Sequence, residues 1–234
     1  MKDFMRRLRA IKLAALSTSV VVVSILGLFL GLIRAQAHGP EFTAPIPALE
    51  LAVERAGFIA RALLGFFRSL GIFDRWAAVF SLGLGIFANN ALVAVLIALS
   101  PILILKAKPF SDKHLSKIYY KYGIWLFKPI GWTTYKILSL ILPLYGLALQ
   151  CYIIGGIAIV KGLAFEGLEF LPLEVASITA ICISAATPAL SENPDQALPR
   201  YLKSIKKLLL ATLPMLFVAA LLEANAILRI RYIP

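Results

Sequence analysis

Six polar side chains that can hydrogen-bond or ionise stand inside otherwise apolar stretches of this 234-residue chain. They are Asn89, Asn90, Gln150, Glu174, Glu223 and Asn225. A carboxylate or an amide in such a stretch is costly to expose to lipid, so it faces protein or water and needs a partner. Such groups can form a site for a substrate, an ion or a protein partner, and they can equally hold helices together by hydrogen bonds. Both interpretations stay open from the sequence.

The depths of these side chains predict that they form one cluster. Glu223 lies five residues, or roughly 8 Å, from the outer end of its apolar run. With the same rise per residue, Asn89 lies about 10 Å and Gln150 about 15 Å below the outer face of the membrane. The apolar run that contains Glu174 begins at that face. We therefore expect the cluster in the outer half of the membrane, with Glu223 pointing toward Asn89 or Asn90 and with Glu174 nearby.

Five long apolar runs have to position these side chains. The chain is 60% hydrophobic and 15% charged, with a mean hydropathy of +0.86, whereas soluble domains carry roughly 25% charged residues. A bilayer core of about 30 Å needs about 20 helical residues, because lipid offers no partner to backbone amides and carbonyls. We predict a single all-α domain, a polytopic transmembrane helix bundle. Its spans are expected at residues 13–33, 82–105, 137–160, 172–190 and 208–228.

The distribution of Lys and Arg predicts the orientation of the spans. Sixteen of the 24 lie before the first span, between spans two and three, or between spans four and five, and eight lie in the alternate segments. Basic residues collect on the cytoplasmic side of a membrane protein. We therefore expect a cytoplasmic N-terminus, an external C-terminus and a multi-pass location in the cell membrane.

Two connecting segments are predicted to lie at the membrane interfaces. Residues 46–73 combine charged and apolar positions at helical spacing, which predicts an amphipathic helix on the outer surface. Residues 106–136 mix Lys with Tyr and Trp, and aromatic rings beside basic side chains are typical of the headgroup level. This cytoplasmic segment is expected to anchor there and not to bind nucleic acid.

Small residues form two candidate packing stripes. Gly27 and Gly31 make a GxxxG in the first run, and Ala176, Ala180 and Ser184 recur every fourth residue in the fourth. Such stripes let helix backbones approach closely. We expect the fourth span to be central in the bundle and the first span to be a candidate dimerisation face.

The first run also has features of a signal peptide. Its start is basic, and residues 35–37 read Ala-Gln-Ala, which resembles a cleavage site. However, the uncharged run of 21 residues is longer than a signal peptide needs, and Arg34 separates it from that site. A retained membrane anchor is the favoured interpretation.

No motif in the sequence predicts an enzyme. The chain lacks HExxH, GxSxG and a nucleotide-binding glycine loop. His38 and His114 are expected on opposite sides of the membrane, and Cys151 and Cys182 stand alone in apolar runs. We therefore predict no catalytic residue, no metal site and no cofactor. The net charge of +12 is assigned to loops that face anionic lipid.

Three segments resemble the stage II sporulation protein M family of integral membrane proteins. They are IFANNALVA at residues 86–94, LPLEVASI at residues 171–178 and LLEA at residues 221–224. The last two match acidic positions of that family, and five spans with a cytoplasmic N-terminus match its topology. The chain departs from the family at Phe170 and Leu171, where a His-Gly pair is usual.

The resemblance implies a non-enzymatic scaffold or a subunit of an envelope-associated complex, with the lipid bilayer and other proteins, including a second copy of the chain, as partners. The rival hypothesis is a membrane subunit of a transporter, with the polar cluster as an outward-facing substrate or proton site. Pro143, Gly146, Gly155 and Gly156 would break span three in that case, as transporter helices often are broken. A lipid-modifying enzyme is a third hypothesis, without its usual motifs.

Overall fold

The computed structural model describes residues 2–43, 46–160, 162 and 168–230, so Lys161 and Arg231 of the charge count lie outside it. Within this part of the chain the fold is helical. The helices are α1 (Lys2–His38), α2 (Pro47–Ser69), α3 (Arg75–Phe110), α4 (Ser116–Tyr122), α5 (Trp132–Val160), α6 (Leu171–Ala186) and α7 (Pro194–Ile230). Short 3-10 or π-helical turns lie at Gly39–Thr43, Ser111–Leu115, Trp125–Phe127 and Thr187–Leu190.

Five of the described helices, α1, α3, α5, α6 and α7, are long and apolar enough to cross a membrane. The predicted all-α fold with five candidate spans is thereby confirmed, and the protein is a multi-pass membrane protein. The third span differs from one expectation, because α5 runs without interruption through Pro143 and its glycines. Gly155 lies against the Leu28 carbonyl of α1, so this glycine permits close helix packing and does not unwind the helix.

α1 and α5 pack side by side along a glycine seam. A Cβ added at Gly27 would meet the backbone of Ala148, and one added at Gly31 would lie 3.1 Å from the Gly156 amide nitrogen. The contacts advance together along both helices, so the two spans run parallel. The GxxxG therefore packs within the chain. This corrects the expectation of a dimer through the same face, because α5 already covers it.

α6 is central, as expected, and contacts α1, α3, α5 and α7. Its packing face differs from the predicted stripe of small residues. Ala176 is exposed, and Ala180 and Ser184 are only half-buried. The buried face of α6 instead consists of Glu174, Ser177, Ile178, Ile181, Cys182, Ala185 and Ala186. Because these positions recur at intervals of three and four, they form one helix face that is rotated away from Ala176.

α2 packs along the first half of α3. The Ala56 carbonyl lies against Gly85, and the Phe67 and Phe80 rings have centroids 6.2 Å apart, so the two helices run antiparallel. The structure thus contains the helix predicted within residues 46–73 but corrects its position. The helix lies alongside a span and not across the span ends, because Gly85 lets its backbone approach.

α3 and α7 also run antiparallel. The Phe87 and Phe217 rings lie 5.3 Å apart, and Gly83 packs against Leu221. Nearer the other end, the Tyr201 hydroxyl donates a hydrogen bond of 2.5 Å to the Ala98 carbonyl. Since α3 contacts α2, α5, α6 and α7, its polar side chains can meet groups from several spans.

Candidate functional site

Three polar side chains from three helices form a buried triad. Asn90 of α3, Gln150 of α5 and Glu174 of α6 are 4%, 3% and 1% exposed. Asn90 Nδ2 donates to Glu174 Oε1 at 2.8 Å, and Gln150 Nε2 donates to the same oxygen at 2.5 Å. Gln150 Nε2 also lies 3.1 Å from Asn90 Oδ1. The structure therefore brings three of the six predicted residues into direct contact.

The position of Glu174 follows from the local structure at the start of α6. Its backbone amide donates to the Phe170 carbonyl at 3.1 Å, which places the carboxylate in the first turn. Helix N-termini favour negative charge, since the first amides point toward it without helical partners. The helix start and the two amide donors together stabilise an acidic group that lipid would disfavour.

The triad has more acceptor atoms than donors. Glu174 Oε2 and Gln150 Oε1 are buried and have no hydrogen-bond partner. The orientation of the Gln150 amide is fixed by its neighbours, because Nε2 faces two acceptors and an exchanged oxygen would face them without a donor. Buried polar groups normally find partners. The two free oxygens therefore distinguish this cluster from a set of satisfied interhelical hydrogen bonds.

Glu223 is buried inside the bundle on α7, and it interacts electrostatically with Glu174. Helical side chains lean toward the helix N-terminus, so on antiparallel α3 and α7 the side chains of Asn90 and Glu223 lean toward each other. The expected amide partner is not found, however. Among the described residues Glu223 makes no hydrogen bond, and the Asn90 amide is taken by Glu174.

Two predicted cluster residues lie apart from the triad. Asn89 is buried, but its side chain is rotated by 100° from that of Asn90, toward the Gly85 face that α2 covers. Its Oδ1 is buried without a partner there. Asn225 accepts a hydrogen bond of 3.0 Å from Arg75 at the ends of α3 and α7. Helix depth placed both residues correctly in the same half of the bundle, whereas helix rotation separated them.

A groove of about 450 Å³ at the end of α1 was not predicted. It is lined by Leu30, Ile33, Arg34, Ala37, His38, Ile46 and Tyr152. The Tyr152 hydroxyl donates to the Phe42 carbonyl at 2.6 Å, and this bond fixes the turn after α1. The only sequence signal was a tyrosine inside an apolar run. None of the triad residues lines this groove, so it is separate from the cluster.

Residues 111–131 form a helical arm that continues from the C-terminal end of α3. This end of α3 points away from the start of α6. The arm contains the π-helical turn, α4 and the following 3-10 turn, and its contacts are mainly with itself and with α3. Tyr120, Trp125 and Leu126 are 76%, 77% and 77% exposed. The predicted interfacial segment 106–136 is longer than the arm. Its two ends are part of the spanning helices, because α3 extends to Phe110 and α5 begins at Trp132. At the base of the arm, Lys108 pairs with Asp112 and lies over the Trp132 ring.

Compared with known proteins, the chain matches no protein-family model, no curated protein and no solved structure. The buried triad and the exposed arm are therefore the features from which a function has to be inferred.

Proposed function

We propose that this chain is a non-enzymatic subunit of an envelope-associated complex in the cell membrane, with its N-terminus in the cytoplasm. The proposal follows the resemblance to stage II sporulation protein M, and the observation that supports it is the helical arm. The three most exposed large side chains of the arm are accessible to more than three quarters of their surface.

The arm has the composition of a docking surface. Large exposed apolar side chains mark sites of interaction with proteins or membranes. Lys113, Lys117, Lys121 and Lys128 alternate with them and keep the arm out of the hydrocarbon. Because the arm makes few contacts with the bundle, the rings can cover a partner protein beside the membrane. Aromatic side chains such as these are enriched at protein interfaces.

Photo-cross-linking in intact cells tests the proposal. A photoreactive amino acid at Trp125 is expected to capture a defined partner protein, identified by mass spectrometry. Trp76 is the matched control, since it is 76% exposed at the opposite end of α3. Protein adducts at position 125 that are lost when Tyr120 and Leu126 are changed to Ser would support docking. Adducts with lipid alone at both positions would contradict it.

A transporter subunit is the second candidate, and the free oxygens of Glu174 and Gln150 favour it. Polar groups buried in a bundle often mark substrate or ion pathways. Flux of protons or Na⁺ into liposomes that contain the purified chain is the test. Flux that is lost in Glu174→Gln would support transport, and no flux above that of empty liposomes would contradict transport by this chain alone.

A further inference from the structure

Two buried carboxyl groups lie within electrostatic range of each other, and neither forms an ion pair within the part of the chain that the structure describes. Glu174 and Glu223 are both buried and interact electrostatically across α6 and α7. Among the described residues, Lys108 and Asp112 form an ion pair, and neither Glu174 nor Glu223 forms one. Arg75 of α3 donates to Asn225 and not to Glu223. Two ionised carboxylates in this arrangement repel each other and lose their hydration, so their burial requires a compensating positive charge.

The remaining polar groups around the carboxyls offer oxygen atoms. One oxygen of Glu174 already accepts two hydrogen bonds, whereas Oε2 is free. The amide of Gln150 is bonded through its nitrogen, whereas Oε1 is free. Both free oxygens belong to planar groups that are already joined to each other by the bond from Gln150 Nε2 to Glu174 Oε1. Each free oxygen is thus bonded to a carbon whose other polar atom takes part in that hydrogen bond, and each needs a donor or a cation.

We propose that Glu174 Oε2 and Gln150 Oε1 bind one small hard cation, a proton or Na⁺, and that the nearby charge of the Glu223 carboxyl strengthens this binding. The site goes beyond the proposed docking function and does not depend on it. Carboxylate and amide oxygens are ligands that hard cations prefer. Thiolate- or imidazole-seeking metals do not fit, since the described residues contain no group of three His, Cys, Asp or Glu that could hold a metal ion.

One bound proton would supply the donor that the two free oxygens lack. A hydrogen on Glu174 Oε2 would donate to Gln150 Oε1 and close a ring with the existing bond from Gln150 Nε2 to Glu174 Oε1. One proton would thus satisfy both unpartnered atoms and remove one of the two negative charges. Na⁺ would do the same by coordination to both oxygens, and the charge of the Glu223 carboxyl would add a longer-range attraction.

The other described groups around the pair do not supply a positive charge. α5 contributes Cys151, which lies near Glu174. α6 contributes Cys182, which lies near Cys151, and α3 contributes the Asn90 amide. A bound cation would therefore offset the negative charge of the Glu174 and Glu223 carboxyl groups.

The test uses the full-length protein in lipid nanodiscs. Its unfolding temperature is measured in NaCl and in choline chloride at equal ionic strength, at several pH values. Infrared spectra report the carbonyl band of a protonated carboxyl in the same samples. Glu174→Gln and Glu223→Gln are the test variants. Glu169→Gln is the matched control, since Glu169 is an exposed carboxylate five residues before Glu174.

Each outcome decides the proposal. If Na⁺ is bound, NaCl at 100 times its Kd raises the unfolding temperature by about 5–10 °C over choline, most strongly at high pH where protons do not compete. If a proton is bound, the two salts give equal temperatures, and the carbonyl band is present at neutral pH and vanishes as the pH rises. Either signal has to be lost in Glu174→Gln and kept in Glu169→Gln.

The proposal is overturned if the salts are equivalent and Glu174→Gln leaves the infrared spectrum unchanged. If Glu174→Gln does not fold, Glu223→Gln decides, because it leaves the triad intact. It is then expected to reduce the affinity for Na⁺, or to shift the pH at which the band vanishes. An unchanged Na⁺ response and an unchanged band in Glu223→Gln would also overturn the two-carboxyl site.

Discussion

α5 packs against its neighbours in two contrasting ways. Toward α1 it presents Gly155, Gly156 and the backbone of Ala148, and the backbones of the two helices approach each other closely. Toward α3 and α6 it presents Gln150, which joins a hydrogen-bonded triad with oxygen atoms left over. The glycine seam is held together by close packing of two helix backbones, which leaves no space for a ligand. The triad is specified by polar groups, and its unused acceptors make it the place where a ligand can act.

The seam is expected to tolerate substitution least. Gly31→Leu would force a side chain into the backbone of Tyr152 and Gly156, which cannot move without displacing α5. We expect a loss of about 3 kcal/mol or more in the free energy of unfolding, at the upper end of overpacking effects. Gly65→Leu is the control, because no atom lies within 4 Å of a Cβ there. Equal stability of the two variants in a denaturant titration would contradict the seam.

The stability of the triad is expected to depend more on the hydrogen-bonding groups of its side chains than on their volume. Glu174→Leu would leave the Asn90 and Gln150 amides without their acceptor, at a cost of about 2–3 kcal/mol. Glu174→Gln keeps an acceptor oxygen and should cost roughly half as much. Thermal unfolding of both variants in the same detergent measures the difference. A Leu variant as stable as the Gln variant would show that the amides have other partners.

α6 allows the same comparison on a single helix. Ala185→Leu is expected to cost about 1–3 kcal/mol, because Ala185 is fully buried. Ala176→Leu lies on the exposed side and should change the free energy of unfolding by less than about 0.5 kcal/mol. Thermal unfolding of both variants measures the contrast. The reverse order would restore the stripe of Ala176, Ala180 and Ser184 as the packing face.

The last prediction concerns the orientation of the bundle in the membrane. Lys117→Cys and Arg68→Cys are exposed positions that should each change stability by less than about 0.5 kcal/mol. A membrane-impermeant maleimide added to intact cells is expected to label position 68 and to miss position 117. The native cysteines are buried and provide the low background. Labelling at 117 alone would invert the orientation and place the triad toward the cytoplasm.

The sequence identified the polar residues because their types are rare in apolar runs. Depth along each helix, which follows from the rise per residue, placed Asn90, Gln150 and Glu174 in the same half of the bundle. It also set Gln150 about 15 Å below the level of Glu174, whereas the structure joins the two by a hydrogen bond. Rotation about each helix axis was not available, and it decides which side chains touch. For that reason Asn89 or Asn90 was expected to meet Glu223, whereas the structure pairs Asn90 with Glu174.

The packing face of α6 shows where more could have been predicted. Small residues recur at Ala176, Ala180 and Ser184, and this spacing alone favoured the wrong face. Glu174 is the costly group on that helix, and its face continues through Ser177, Ile181 and Ala185. Ranking the faces by the cost of exposing their polar group to lipid would have selected the observed one. By contrast, nothing in the sequence showed that the GxxxG pairs with α5.

The glycine seam also constrains the order of events during biosynthesis. Gly27 packs against Ala148, which leaves the ribosome about 120 residues later, or roughly 6–24 s at the usual rates of elongation. Throughout that interval the first span is already in the membrane with its glycine face uncovered. The insertion machinery or a neighbouring helix has to shield this face until the fifth helix arrives. The packing of the first span is therefore completed only when a helix from the middle of the chain joins it.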